Sequence, residues 1–333
     1  MLLYYGLLSY WLLTISVAVV SHFVPLLAAA SAYGKLTTIH RGHAHPASRS
    51  SSSFSVSSTL SSFLLSPRLY LSNGLCFTFY YSLATLLNAL LLHSTYAWYA
   101  TGHFDWLLHH LVSCNRWLVW HLAPSLAFSP LDIHWPPHTP PPASLLLLLV
   151  VYQLHFMRRL WECCRVHSFS ASSRQHVLVL LFGALFYVAL ILSPVLDQLQ
   201  RVDTRATQSA RRYAVSSAAA VLLFVAGSLW QHRCHVTLAE LRSVGSLHTA
   251  TPKATYSVPR GAGFSSLLCP HYTAELLIYI SFALMRPCVL QWLALLWTAV
   301  NLSTTAFKTR HWYASQWPYG EWRNRWTIVP YIF

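Results

Sequence analysis

The chain has 333 residues, 55% of them hydrophobic and only 9% charged, with a mean hydropathy of +0.44. Soluble domains carry about a quarter charged residues, so this composition excludes an ordinary soluble globular protein and points to a polytopic membrane protein. The formal net charge is +14, from 22 Lys and Arg against 8 Asp and Glu; the arginines fall in short loops between apolar runs, so topology and phosphate-bearing ligands explain them better than nucleic acid, and no nucleic-acid partner is expected.

In chain order, the first apolar run, 2–32, is too long for a signal-peptide core and lacks a basic leader, so it reads as a first span. Runs long enough to cross a bilayer fall near 3–31, 71–96, 143–162, 176–196, 213–231, 272–286 and 288–307. They predict an all-α bundle of about seven transmembrane helices. Residues 44–66 are Ser-rich and low in complexity, which predicts a mobile loop. The stretch 106–128 holds His109, His110, Asn115, Arg116 and His121 and predicts an interfacial or re-entrant segment. A Pro-rich stretch, 136–142, then breaks the chain. No internal repeat or second domain interrupts 1–333, and residues 152–333 carry most of the polar motifs. The seven cysteines show no C-x-x-C spacing, so reduced, unbridged thiols and no structural zinc are expected.

Alternate loops divide the charge unevenly. One side carries Lys35, Arg41, Arg49, Arg68, Arg158, Arg159, Arg165, Arg174, Arg233, Arg242, Lys253, Arg260, Lys308, Arg310, Arg323 and Arg325; the other has only Arg116, Arg201, Arg205, Arg211, Arg212 and Arg286. The positive-inside rule makes the richer side cytosolic, with the N-terminus lumenal and the C-terminus cytosolic.

Four polar clusters fall on that side. In the first, His155, Arg158, Arg159 and Glu162 follow an apolar run at helical spacing and share one face. Its bland reading is arginines snorkelling to the interface, with Glu162 as the i,i+4 partner of Arg158. The second is 231–242, where His232, Cys234 and His235 lack the closed tetrahedral donor set of a metal site, so no metal is expected. In the third, 256–275, Pro259, Gly261 and Gly263 force a turn, and His271 and Glu275 stand i,i+4 at a helix start. The fourth is the Trp-, Tyr- and Arg-rich tail, 310–333, which alone reads as an interfacial aromatic belt. No G-x-G-x-x-G follows a strand and no G-x-S-x-G elbow occurs, which excludes a Rossmann cofactor site and a serine-hydrolase site. The histidines also lack the spacings of membrane di-iron desaturases.

Taken together, HFMRRLWE at 155–162, QHRCHVTLAELR at 231–242, PRGAGFSSLLCPHYTAELLIYIS at 259–281 and HWYASQW with the closing VPYIF resemble the steroid 5α-reductase family. Within it they most resemble the polyprenol (polyprenal) reductase branch, as do Tyr33-Gly34-Lys35, Ser66-Pro67-Arg68, Phe79-Tyr80 and Asn88. The resemblance implies a seven-helix bundle in the endoplasmic reticulum membrane, NADPH bound from the cytosol, and reduction of a C=C bond conjugated to a carbonyl. It implies a polyisoprenoid lipid substrate on the route to dolichol, in support of protein N-glycosylation, and no protein partner. Arg158, Arg159, Arg242, Arg260, Arg310 and Arg325 are candidates for the cofactor phosphates. His271 and Glu275 resemble the family's pair at the nicotinamide end. Gln231, His235 and Arg242 resemble its cofactor-holding segment, and Tyr256, Arg310, His311 and Tyr313 resemble further contacts.

There are departures from the family. Steroid-reducing members have a tyrosine where this chain has Phe156, and their second-span glutamate falls nearest Tyr80. Arg310 stands where the family often has histidine, with His311 displaced by one. Both of the first two losses weigh against a steroid 3-ketone. The expected substrate is polyprenal, because only a conjugated carbonyl can take up the charge that reduction creates. The expected carbonyl donor is Tyr80, then His155, and Phe77, Phe79, Tyr80, Tyr81 and Phe156 are expected to line an aromatic slot for the isoprenoid. The rival readings are a steroid or enoyl-thioester reductase of the same fold, a membrane methyltransferase, and a non-enzymatic transporter or receptor.

Overall fold

The computed structural model describes residues 2–20, 66, 69–122, 141–170, 173–200, 210–247, 257–317 and 319–331. The Ser-rich loop up to residue 65, most of the Pro-rich stretch, and Tyr256 lie outside the described residues. The described chain is almost wholly helical: α1 (Leu2–Val20), α2 (Asn73–Thr101), α3 (Trp106–Leu122), α4 (Ala143–Arg165), α5 (Val177–Gln200), α6 (Ala210–Leu247), α7 (Pro270–Met285) and α8 (Val289–Gln316). Of these, α1, α2, α4 and α5 are long and apolar enough to cross a membrane. By contrast, α3 and α7, at 17 and 16 residues, fall short of the ~20 a perpendicular span needs. The protein is an all-α, polytopic membrane protein.

The stretch read as interfacial or re-entrant is a regular helix over 106–122. Asp105 caps it by accepting from the Leu108 amide at 3.1 Å, and Trp106, Trp117 and Trp120 stay exposed. One feature had no sequence signal. Strand β1 (Tyr70–Ser72) pairs antiparallel with β2 (Arg174–His176), Tyr70 opposite His176. Three residues are too few for an alternating pattern to show. The pairing matters for position, because α2 and α5 each begin on the next residue and so start side by side. Ser72 caps α2 through its hydroxyl, and the Asn73 amide group donates to Ser173 Oγ at 2.6 Å.

Lipid tails are as apolar as leucine, so specific polar ties and close fits select helix neighbours in a bilayer. Asn88 Nδ2 of α2 donates to the Leu149 carbonyl and to Gln153 Oε1 of α4, at 2.9 and 2.8 Å. Tyr152 of α4 donates to Gln291 Oε1 of α8 at 2.8 Å, and Trp11 of α1 donates to Ser193 Oγ of α5 at 3.3 Å. Around these ties Leu91, Trp98, Phe156 and Phe282 fill the core. Arg286 pairs with Asp197 at 3.5 Å where α7 ends and α5 ends. The Leu3 amide meets Asn115 of α3 at 3.0 Å, and Leu2, Leu3 and Leu7 line a leucine-walled groove of about 510 Å³ with Leu192 and Leu196 near the end of α5. The start of α1 therefore lies at the end of the bundle marked by Arg286. The polar clusters gather at the other end, where α2, α5 and α7 start and α4 and α8 finish.

Candidate functional site

The site is built on the last turns of α4. Glu162 is fully buried, and four side chains meet its carboxylate. Arg158 Nη1 reaches Oε1 at 2.6 Å, Arg159 Nη1 reaches Oε2, and His232 and His235 approach through Nδ1 at 2.9 and 2.8 Å. The α4 helix supplies the first two by i,i+4 and i,i+3 spacing, and α6 supplies the histidines by crossing it there. Arg158 continues outward, donating to Gln231 Oε1 at 2.5 Å, and Gln231 Nε2 donates to Glu275 of α7. Glu275 Oε1 in turn lies 4.0 Å from His155 Nε2. A chain of polar groups thus runs Glu162, Arg158, Gln231, Glu275, His155 across three helices.

The tautomer of His155 follows from its neighbours. Arg158 Nη2 faces its Nδ1 at 3.4 Å, and a guanidinium only donates. Nδ1 is therefore the acceptor and Nε2 carries the hydrogen. That Nε2 is buried and without a hydrogen-bond partner, as is His271 Nδ1 nearby. Buried polar atoms of this kind are costly unless something binds them.

Glu162, His167 and His235 place one ligand atom each within 4.8 Å of the others, the geometry of a possible metal group. Arg159 already holds the middle of it. Its Nη1 reaches Glu162, His167 Nε2 at 3.3 Å and His235 Nδ1 at 2.8 Å. The group is arranged around a guanidinium. One proton decides whether His235 Nδ1 accepts from Arg159 or donates to Glu162, since it cannot do both. Burial, and then the Arg159 charge, holds the His167 imidazole down at about 4.

The turn of the third cluster forms as its glycines require. Gly261, Ala262 and Gly263 follow one another at φ 77°, 48° and 94°, the left-handed region that favours glycine. A side chain at Gly263 would press on Trp230 at 3.1 Å, whose indole donates to the Ala262 carbonyl. The tail closes over this turn. The Leu268 and Cys269 amides donate to the Trp326 and Thr327 carbonyls, and Thr273 Oγ1 donates to the Ile328 carbonyl.

The residues named from sequence separate into three groups. His155, Arg158, Arg159, Gln231, His235, His271 and Glu275 come together in the polar cluster; His235 and His271 have ring centroids 6.2 Å apart. Arg310, Tyr313 and Arg325 belong to the tail. Arg325 Nη1 donates to the Pro259 carbonyl at 2.9 Å, Arg310 Nη1 to the Arg325 carbonyl at 3.1 Å, and Tyr313 is buried among Trp312, Trp317 and Trp322. Arg242 is exposed and donates to the Ser168 carbonyl, while His311 is exposed against Phe307.

Among the aromatic candidates, Phe156 is fully buried, Phe77 stacks on Phe169 at 5.9 Å, and Phe79 is 48% exposed. Tyr80 donates its hydroxyl hydrogen to the Val179 carbonyl at 2.9 Å and accepts from Gln175 Nε2 at 3.1 Å. The sequence reading placed Glu162 and His232 in the polar clusters without giving them a cofactor or catalytic role, and left His167 out. Glu162 had a signal: two adjacent arginines faced one carboxylate in a chain with only 8 acidic residues.

Residues 175–333 match the family model described as 3-oxo-5-alpha-steroid 4-dehydrogenase. A polyprenal reductase of Xenopus tropicalis is 32% identical over 195 residues, covering 56% of this chain and 60% of that protein. The polyprenal reductase of Homo sapiens is 29% identical over 191 residues, covering 56% and 58%. Polyprenal reductase 1 of Oryza sativa subsp. indica is 26% identical over 211 residues, covering 55% and 58%. The matches thus span less than two thirds of the relatives' own length. Residues 175–333 thus resemble the 3-oxo-5-alpha-steroid 4-dehydrogenase family, and the chain is similar to polyprenal reductases.

Proposed function

We propose that this protein is an NADPH-dependent reductase of the conjugated double bond of polyprenal, on the route to dolichol that supports protein N-glycosylation. The observation that carries the reading is the convergence of α4, α6 and α7 on the buried, unpartnered Nε2–H of His155, beside Glu275. Of the two donors named from sequence, Tyr80 has its hydroxyl hydrogen engaged by a backbone carbonyl, while the His155 Nε2–H has no hydrogen-bond partner. NADPH, when bound, supplies the hydride that conjugate reduction of an enal requires. The residues present fit its nicotinamide end: Glu275 offers a carboxylate and His271 an unpartnered Nδ1 to an amide. The chain's own part is to hold the aldehyde oxygen on a donor away from water, where a hydrogen bond to a developing oxyanion is worth most. Phe156, where steroid-reducing members have tyrosine, favours a substrate other than a steroid ketone. The relatives named polyprenal reductase support the same choice. We place the protein in the endoplasmic reticulum membrane with the polar end, and so the cofactor, at the cytosol and the N-terminus in the lumen; the charge count over the loops supports this.

The deciding experiment incubates the purified protein with NADPH and either polyprenal or a steroid enone under matched conditions. The polyisoprenoid aldehyde with only its α-isoprene unit saturated is expected at the faster rate. Faster reduction of the steroid overturns the substrate, and no reduction of either overturns the enzyme.

A further inference from the structure

Next to Tyr80 stands a second phenol with different partners. Tyr81 is buried, and its hydroxyl oxygen accepts the Arg159 Nε–H at 3.1 Å while the guanidinium carbon sits 5.0 Å from its ring centroid. The Tyr187 side chain also hydrogen-bonds with it, and Glu275 and Cys163 lie near enough to act on its charge. No backbone carbonyl among the described residues takes its hydrogen, which is the reverse of the arrangement at Tyr80. A phenol that accepts from a cation is a stronger donor through its own O–H, because the cation stabilises the negative charge that donation builds on oxygen. Arg159 is in turn fixed by Glu162.

The surroundings suit the head of an apolar enal. The rings of His155, Phe156, Tyr187 and Tyr81 follow one another at centroid separations of 5.6, 5.8 and 5.4 Å, forming one aromatic wall from the unpartnered histidine to the cation-bound phenol. Tyr187 is half-buried, whereas His155, Phe156 and Tyr81 are buried. A flat conjugated aldehyde lies well on such a wall, with its oxygen free to meet a donor at one end.

We infer that Tyr81 is the hydrogen-bond donor to the substrate's carbonyl oxygen, with Arg159 as the residue that positions and polarises it. This rests on the reductase reading. It assigns the donor role to a residue one position from that expected from sequence, and leaves His155 to line the opposite end of the wall.

A binding measurement tests it without turnover. Citral, a two-isoprene enal, is titrated into the NADP⁺-bound protein and its ultraviolet absorption followed; hydrogen bonding at the carbonyl moves an enal's absorption to longer wavelength. The wild type is expected to shift the band. Tyr81→Phe is expected to abolish the shift and weaken citral about 3–10-fold while binding NADP⁺ as the wild type does. Arg159→Lys is expected to leave a smaller shift, and Tyr80→Phe to keep it whole. A shift that survives Tyr81→Phe overturns the assignment, as does one lost in Tyr80→Phe alone. If the wild type binds no citral at all, the reductase reading falls first and takes this inference with it.

Discussion

Glu162→Ala tests whether the polar cluster is one electrostatic unit. In the wild type one buried carboxylate answers two guanidiniums and two imidazoles. The two arginines differ in what they can do when it is lost. The Arg158 side chain is 20% exposed and can lean towards water, keeping its bond to Gln231. Arg159 is buried against Tyr81 and has no such route. Removing one partner of a buried ion pair typically costs about 3–5 kcal/mol, because a charge is left without compensation. That is a loss of roughly two to three and a half powers of ten in the folding equilibrium. Replacing both partners by apolar groups of similar volume is often neutral, so Glu162→Met with Arg159→Met is expected to recover most of the loss. The assay is thermal and denaturant unfolding in one detergent, with the wild type, Glu162→Ala and the double variant run together. A Glu162→Ala cost under about 1 kcal/mol would refute the argument, since that is the worth of an exposed pair. So would a double variant no better than the single, because it would mean that the cost arises from packing.

Gly183→Ala should destabilise the fold, although alanine is the better helix former by about 1 kcal/mol. The new Cβ would stand 2.6 Å from Tyr80 Cζ, so the ring must move and give up Val179, at about 1–3 kcal/mol; an unchanged melting temperature would refute the contact. The His167 imidazole has its proton affinity lowered from 6.5 to about 4 by burial and the Arg159 charge, so it is neutral in the fold. Its contribution is complete above about 6.5 and declines as pH falls from there to about 4, where only the unfolded chain gains the proton. Stability measured across that window should fall with pH in the wild type and be flatter in His167→Gln, whereas parallel curves would exclude the histidine.

Much of this arrangement is legible from spacing alone. A face built from residues 155, 158, 159 and 162 follows from the helical repeat, and the turn at 259–263 follows from its proline and glycines. Three things are not legible, for a physical reason in each case. The strands β1 and β2 are held by three residues each, and their pairing depends on where two helices start. The choice between Tyr80 and Tyr81 is a rotation of about 100° on one helix. Both tyrosines sit among aromatic residues, at 77–81, so no apolar stripe marks which one faces the cluster. The burial of Glu162 is hidden in the same way: an i,i+4 pair reads as a surface pair until a second helix brings His232 and His235 onto the same carboxylate.

That burial changes which arginines can serve a phosphate-bearing cofactor. Arg158 and Arg159 are answered by Glu162, and Gln231 links Arg158 to Glu275, so the cluster holds two cationic and two anionic groups. A phosphate brought against it would meet charges already compensated, and would displace a carboxylate already held by two guanidiniums. The cluster is better matched to neutral dipoles, such as an amide or an aldehyde, whose binding disturbs no ion pair. Cofactor phosphates are better matched to cations whose present partners are easily exchanged for a stronger acceptor. Arg242 donates to a backbone carbonyl at the surface, and Arg260 and Glu321 form a pair exposed on both sides, which is worth little in water. Arg310 and Arg325 differ again, because each ties the tail to its surroundings through carbonyl oxygens. In the proposed reductase, the polar cluster would therefore orient the reacting groups and the loop arginines would hold the phosphates, a division of labour that a count of basic residues does not distinguish.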